Sequence, residues 1–227
     1  MKRILKFLLK LFLWCIALSI AIVILFRFVP VPVTPHMLAR CVIQKTEGKE
    51  MLLDKHWKPL DEISPSLVLA VMAAEDQKFD EHFGFDIEAI EKAQKENERR
   101  HGKHIHGAST ISQQTAKNVF LWSSRSYVRK AFEVYFTFLI EIFWSKKRIM
   151  EVYLNVAEWG DGVYGAEAAA QKYFLKPAKK LSASESALLA AVLPNPRKWS
   201  PAKPTAYIFS RQQWILLNME RMEKPEW

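Results

Sequence analysis

The sequence predicts a mainly α-helical domain held at a membrane by a single N-terminal helix. Three observations carry that prediction. A charge-free apolar run, Leu11 to Phe26, follows four cations. From Ser64 onward the punctuation is that of helices, with capping residues ahead of apolar stretches. Glycine is scarce, at seven of 227 residues, and no alternating run suggests a large sheet.

Taken in order, residues 1–6 form a short basic N-terminus and residues 7–28 the membrane helix. At roughly 1.5 Å per residue that helix reaches about 33 Å, enough for a hydrocarbon core of about 30 Å. Lys10 and Arg27 fall near its ends, where their charges can snorkel. Lys2, Arg3, Lys6 and Lys10 precede the apolar run and only Arg27 follows it. The positive-inside rule then puts the N-terminus in the cytoplasm, the chain in the inner membrane and the remaining residues in the periplasm. A cleaved signal peptide is the rival, but FRFVPVPVTP offers no small-x-small cleavage site. A buried helix of a soluble protein fits the one-sidedly basic flanks poorly.

The alternating prolines of Val29–Pro35 deny helix and make that segment stiff and extended, and residues 29–44 read as the stalk. Residues 45–227 read as one domain, with room for a short strand or two between 40 and 60. Ser64-Pro65 is an N-cap followed by a proline at the first helical position. Ser126 can cap a long helix through Trp144. Ser182-x-x-Glu185 is a capping box ahead of ALLAAVL, which Pro194 stops. Phe132–Trp144 is apolar nearly all round, interrupted by Glu133 and Glu141. It is too short and too charged for a second span, which leaves a core helix or one with a face at the bilayer surface.

The net charge of +9 invites a nucleic-acid reading until it is mapped. Five cations lie in the first 28 residues, and the rest of the chain holds 28 basic against 24 acidic residues. A general nucleic-acid surface is therefore excluded. Cys15 and Cys41 are the only cysteines, too few for a disulfide framework or a CxxC metal knuckle.

One region of the domain is not charge-balanced. From Arg99 to Phe132 there are seven cations (Arg99, Arg100, Lys103, Lys117, Arg125, Arg129 and Lys130) and no acid. Inside it, His106–Asn118 reads as a loop opening a helix. Ser109, Gln113 and Lys117 are spaced to share one helix face, where a hydroxyl, an amide and an ammonium suit an oxyanion. A capped helix with a solvated polar face has the same spacing. Arg129 and Lys130 stand four and three residues before Glu133, the spacing of an intrahelical ion pair, yet Glu133 is a lone charge among Phe132, Val134, Tyr135 and Phe136. Glu75 closes an apolar helix, where desolvation raises a carboxyl toward the range of a general base. Gly84 suggests a tight turn fixing Phe83 and Phe85. His101, His104 and His106 lack nearby carboxylates and make a poor zinc site.

EDQKFDEHFGFD (75–86), GASTISQQTAKN (107–118), RKAFE (129–133), KRIMEVYLNVAEWG (147–160) and GAEAAAQKYF (165–174) follow one another in this order. Together they resemble the motif series of the peptidoglycan glycosyltransferases, glycosyltransferase family 51, from about residue 50 to 205. The resemblance implies a lysozyme-like helical fold that polymerises lipid II into β-1,4 glycan strands, with inversion at the donor's anomeric carbon. It implies Glu75 as general base toward the acceptor's 4-hydroxyl, and Glu133 as the second essential glutamate on the donor side. Ser109, Gln113, Gln114, Lys117, Asn118, Arg125, Arg129 and Lys130 match positions that bind the donor's sugar and diphosphate. Asp76 is left to contact the acceptor or to orient its neighbours. No tightly bound cofactor is implied; a divalent cation, magnesium or manganese, is the one ion the donor site would take. Partners on this reading are lipid II, the nascent glycan, membrane lipid and other cell-wall synthesis or division proteins. The chain leaves no space for the transpeptidase domain of bifunctional relatives. A glycan-cleaving lytic transglycosylase or muramidase, or a non-enzymatic division scaffold, are the competing classes.

Overall fold

The computed structural model describes residues 2–99, 107–123 and 126–227. Its elements run α1 (Lys2–Phe28), α2 (Pro35–Thr46), β1 (Asp54–Lys55), α3 (Pro65–Glu75), α4 (Ile87–Arg99), α5 (Ile111–Phe120) and α6 (Tyr127–Phe143). They continue through α7 (Lys146–Val156), β2 (Glu158–Gly160), β3 (Val163–Tyr164), α8 (Ala166–Phe174), α9 (Ala183–Val192) and α10 (Ala206–Met219). The three short strands form one small sheet in the order β1-β3-β2, β1 parallel and β2 antiparallel to β3. The domain is mainly α, as the scarcity of glycine and of alternating runs predicts.

The core forms around α3. Leu67 to Ala73 are all buried, so this helix has no solvent face, as its all-round apolar sequence requires. α9 packs on it through Ala187, Leu189, Ala190 and Ala191, and α10 packs on both through Ile208 and Ile215. Small residues on α9 let three helices approach closely. A second group, α5 with α6 and α7, stands beside the first. The carboxyl end of α3 emerges between them.

Three capping predictions hold and one is modified. Ser126 accepts from the Arg129 amide, and Ser182 with Glu185 forms the reciprocal capping box. Pro65 is the first residue of α3. Ser64, however, makes no cap bond; its hydroxyl donates to the Leu181 carbonyl at 2.8 Å and ties α3 to the segment before α9.

The predicted stalk needs correction. Residues 29–34 are non-helical, but Pro35 serves as the first residue of α2, capped by Thr34. Arg40 makes two 2.9 Å bonds to Asp161, and Gln44 donates to the same carboxylate at 2.8 Å. Residues 35–44 are thus bonded to the turn between β2 and β3 and do not form a free stalk. Proline blocks a helix only ahead of itself, so Pro35 could start one.

α1 is long and apolar enough to cross a membrane. Its last turns are bonded to the domain. Trp144 Nε1 donates to the Val23 carbonyl at 2.8 Å, Arg148 Nη2 donates to the Phe26 carbonyl at 2.8 Å, and the Ser19 and Tyr135 hydroxyls lie 2.7 Å apart. Arg148 thus satisfies a carbonyl that the helix end leaves without a partner, since the residue four places on is Pro30. α6 buries Glu133, Thr137, Leu139, Ile140 and Glu141 and leaves Phe132, Phe138 and Ile142 exposed. It is a core helix with a second, apolar outer face.

Candidate active site

Glu75 is the last residue of α3 and has little contact with solvent. Its Oε2 accepts from Gln114 Nε2 at 2.8 Å, and its Oε1 lies 3.8 Å from Arg211 Nη2. Burial pushes its pKa above the ordinary carboxylate value. The Gln114 bond and the Arg211 and Lys117 charges pull the other way without reversing it. Tyr153 donates to Gln114 Oε1 at 3.4 Å, which keeps the amide's NH2 end toward Glu75. The outcome is a carboxylate with one good hydrogen bond, held in place and hungry for a proton.

Asp76 faces the protein. Its Oδ2 accepts the Ile111 amide at 3.0 Å, the first N–H of α5, and its Oδ1 meets His82 Nε2 at 2.9 Å. These bonds orient its neighbours, and Asp76 also lines the cavity beside Glu75. The loop that follows is strapped down. Gly84 has φ +77°, and a Cβ there would come within 2.8 Å of Thr137 Cγ2. Thr110 Oγ1 donates to the Gly84 carbonyl at 2.7 Å, and Lys146 bridges the His82 carbonyl and Glu141 at 2.6 and 2.8 Å. This turn leaves Phe83 exposed and Phe85 half-buried.

The start of α5 corrects the predicted polar face. Thr110, not Ser109, is the N-cap, and Gln113 completes a capping box with it. Gln113 is therefore buried, its Oε1 accepting the Thr110 amide at 3.0 Å. A one-residue shift turns a helix face by about 100°, so the polar face holds Gln114, Lys117 and Asn118 instead. Ser109 is exposed just ahead of the helix. Burial lowers the pKa of Lys117, and its charged neighbours are Glu133, Arg129, Glu75 and Lys130. Lys117 therefore links the two glutamates.

Glu133, 3 % exposed, is gripped by both cations of its own helix. Arg129 Nη1 donates to Oε2 at 2.8 Å and Lys130 Nζ to Oε1 at 2.5 Å. The ion pair foreseen from the spacing is present, and it also orients the cations. Arg129 Nε is buried without an acceptor among the described residues, a donor left for an incoming oxygen. The donor set does not fit a metal cage: both Glu133 oxygens are engaged by cations, and no group of three or more His, Cys, Asp or Glu assembles among the described residues. Arg100, Lys103 and Arg125 of the cationic stretch, and His101, His104 and His106, lie outside the described residues.

Three cavities meet this machinery, and one of about 640 Å³ brings Ser109 and Gln113 together with Lys130. A second, of about 400 Å³, is lined by Glu75, Asp86, Lys92, Ser109 and Trp214. Another of about 360 Å³ is lined by Gln114, Lys117, Asn118, His36, Asn195 and Arg197. Arg211 and Trp214 of α10, with His36 and Arg197, escaped the sequence reading. The packing of α10 beside α3 brings in Arg211 and Trp214, that of α2 beside α5 brings in His36, and Glu158 holds Arg197 at 2.8 Å.

A family model described as Transglycosylase matches residues 42–220. The chain is 50% identical over 227 residues to the biosynthetic peptidoglycan transglycosylase of Pseudomonas syringae pv. syringae, covering 100% of this chain and 95% of that one. It is 54% identical over 223 residues to the protein of that name from Bacteroides thetaiotaomicron, covering 98% and 89%. To the one from Caulobacter vibrioides it is 57% identical over 208 residues, covering 92% and 87%.

Proposed function

The chain belongs to the transglycosylase family, and on that premise we propose that it polymerises lipid II into linear β-1,4 glycan strands of peptidoglycan. The growing strand on its undecaprenyl diphosphate is the donor, and lipid II is the acceptor. Glu75 takes the proton from the acceptor's GlcNAc 4-hydroxyl as that oxygen attacks the donor's anomeric carbon. The new bond forms opposite the one that breaks, so configuration inverts and the lipid diphosphate leaves with the bonding electrons. Lys117, Arg129 and Lys130 compensate the charge that develops on it, and Glu133 holds the last two in position. Gln114 aligns the base. Ser109, Asn118 and Arg125 complete the donor's contacts, while Gln113 acts through the start of α5. α1 anchors the enzyme with its N-terminus in the cytoplasm, a reading supported by the four cations ahead of its apolar run.

The observation that carries this reading is the adjacency of a desolvated base to a cationic arm. Glu75 titrates above the usual carboxylate range beside Lys117, and Lys117 feels Glu133, Arg129 and Lys130. A glycan-cleaving enzyme needs the carboxyl but has no diphosphate to neutralise. Gel analysis of products from labelled lipid II tests the difference. A ladder of polymer bands is the expected result. Unchanged lipid II together with clearing of purified cell walls would contradict it.

A further inference from the structure

Trp214 has no part in the motif series, yet its indole stands at the active cleft, 47% exposed. α10 runs beside the end of α3 and is tied to it on both sides of Trp214. Arg211 reaches the Ala74 carbonyl at 3.4 Å and Glu75 at 3.8 Å, and Asn218 meets Gln77 at 3.4 Å. Residues 211, 214 and 218 share one helix face. On the other face Ile208 and Ile215 are buried, and Gln212 donates to the Ser184 carbonyl at 2.8 Å. The indole is thus carried on a fixed rail, and no hydrogen bond to its N–H occurs among the described residues.

We propose that Trp214 is the sugar-stacking wall of the acceptor subsite, a role that rests on the transferase reading. The two oxygens of Glu75 separate the sides of the site. Oε2 turns to α5 and the cationic arm, and Oε1 turns to α10. The cavity holding Trp214 contains none of Lys117, Arg129 and Lys130; its lining includes Asp86, Lys92 and a Lys78–Glu88 ion pair at 2.5 Å, with Ser109 at its border with the cavity that holds Lys130. One flat apolar wall facing mixed hydrogen-bonding groups suits a pyranose, which has C–H groups on its faces and hydroxyls at its rim. A diphosphate would find repulsion from the acids there. An indole gives large contact area with few rotamers to freeze, so it can orient the 4-hydroxyl toward Glu75.

The test uses the full chain in detergent micelles, labelled with 5-fluorotryptophan. Eight tryptophans give up to eight resonances, and Trp214→Phe identifies one by its loss. A soluble GlcNAc–MurNAc disaccharide should move that resonance. In lipid II polymerisation, Trp214→Ala should raise KM about tenfold, equivalent to about 1.4 kcal/mol, with kcat nearly unchanged. Trp214→Phe should recover most of the loss, because a smaller ring still stacks. A Trp214→Ala enzyme with the parent's KM, or a disaccharide that moves other resonances but not this one, overturns the assignment. If the parent makes no polymer while the disaccharide still moves the Trp214 resonance, the transferase reading fails and the saccharide subsite stands.

Discussion

The two glutamates of the site are both removed from water, and their surroundings could hardly differ more. Glu133 sits nearly two turns inside α6 with both oxygens on cations, so its charge is balanced where it stands. Glu75 ends an apolar helix with one amide bond and a guanidinium at 3.8 Å. Desolvation dominates there and raises its pKa. The difference divides the labour. A carboxylate with both oxygens already bonded to cations is placed to hold those cations. One that is buried and weakly paired gains by taking a proton. Lys117, between them, connects the place where the proton is taken to the place where charge must be received.

The sharpest way to break this comparison is to neutralise each acid in turn. Glu75→Gln should lower polymerisation by about 10²–10⁴-fold, the usual range for losing a general base. It should not weaken the fold. Because the folded-state pKa is raised, stability is highest while the carboxyl is protonated and falls as pH rises through the folded-state pKa. The neutral isostere escapes that loss, so its melting temperature at pH 7 should equal or exceed the parent's by circular dichroism.

Glu133→Gln should act in the opposite sense on stability. It leaves Arg129 and Lys130 without their partner, and about 1.5–3 kcal/mol of folding stability should be lost, read by denaturant unfolding. Lys130 is half in solvent, so the lower end of that range is expected. Lys117→Ala should weaken binding of the lipid-linked donor by roughly 10–100-fold, from loss of a charge-assisted contact to phosphate, while circular dichroism stays unchanged. Donor titrations that match the parent's would remove Lys117 from the site.

The smallest effects separate two adjacent amides. Gln113→Ala should cost about 1 kcal/mol of stability through the capping box and leave the pH profile in place. Gln114→Ala removes the bond that lowers the Glu75 pKa, so the acidic limb of activity should move to higher pH.

Much of the fold was legible because it rests on local rules. The caps at Ser126 and Ser182, the proline start at Pro65 and the long apolar α1 all follow from a few neighbouring residues. At the site, Glu75 stood out because it closes an apolar helix and Glu133 because it is a lone charge among apolar residues. The face of α5 was misread because spacing fixes the period of a helix but not its phase; Thr110 and Ser109 are both competent caps. α2 was hidden behind prolines that serve equally as breakers and starters. Arg211 lies 136 residues from Glu75, and nothing within α10 marks it; their meeting is a product of helix packing alone.

The division of roles between the two glutamates is tested most directly by the pH dependence of kcat/KM for lipid II, measured for the parent and for Glu133→Gln. In both enzymes activity should fall on the acid side with a midpoint above 4.5, because that limb belongs to Glu75. The parent should also lose activity on the alkaline side below 10.5, as the desolvated Lys117 gives up its proton. An acid limb at or below the ordinary carboxylate value, or one that vanishes when Glu133 is neutralised, would contradict the account.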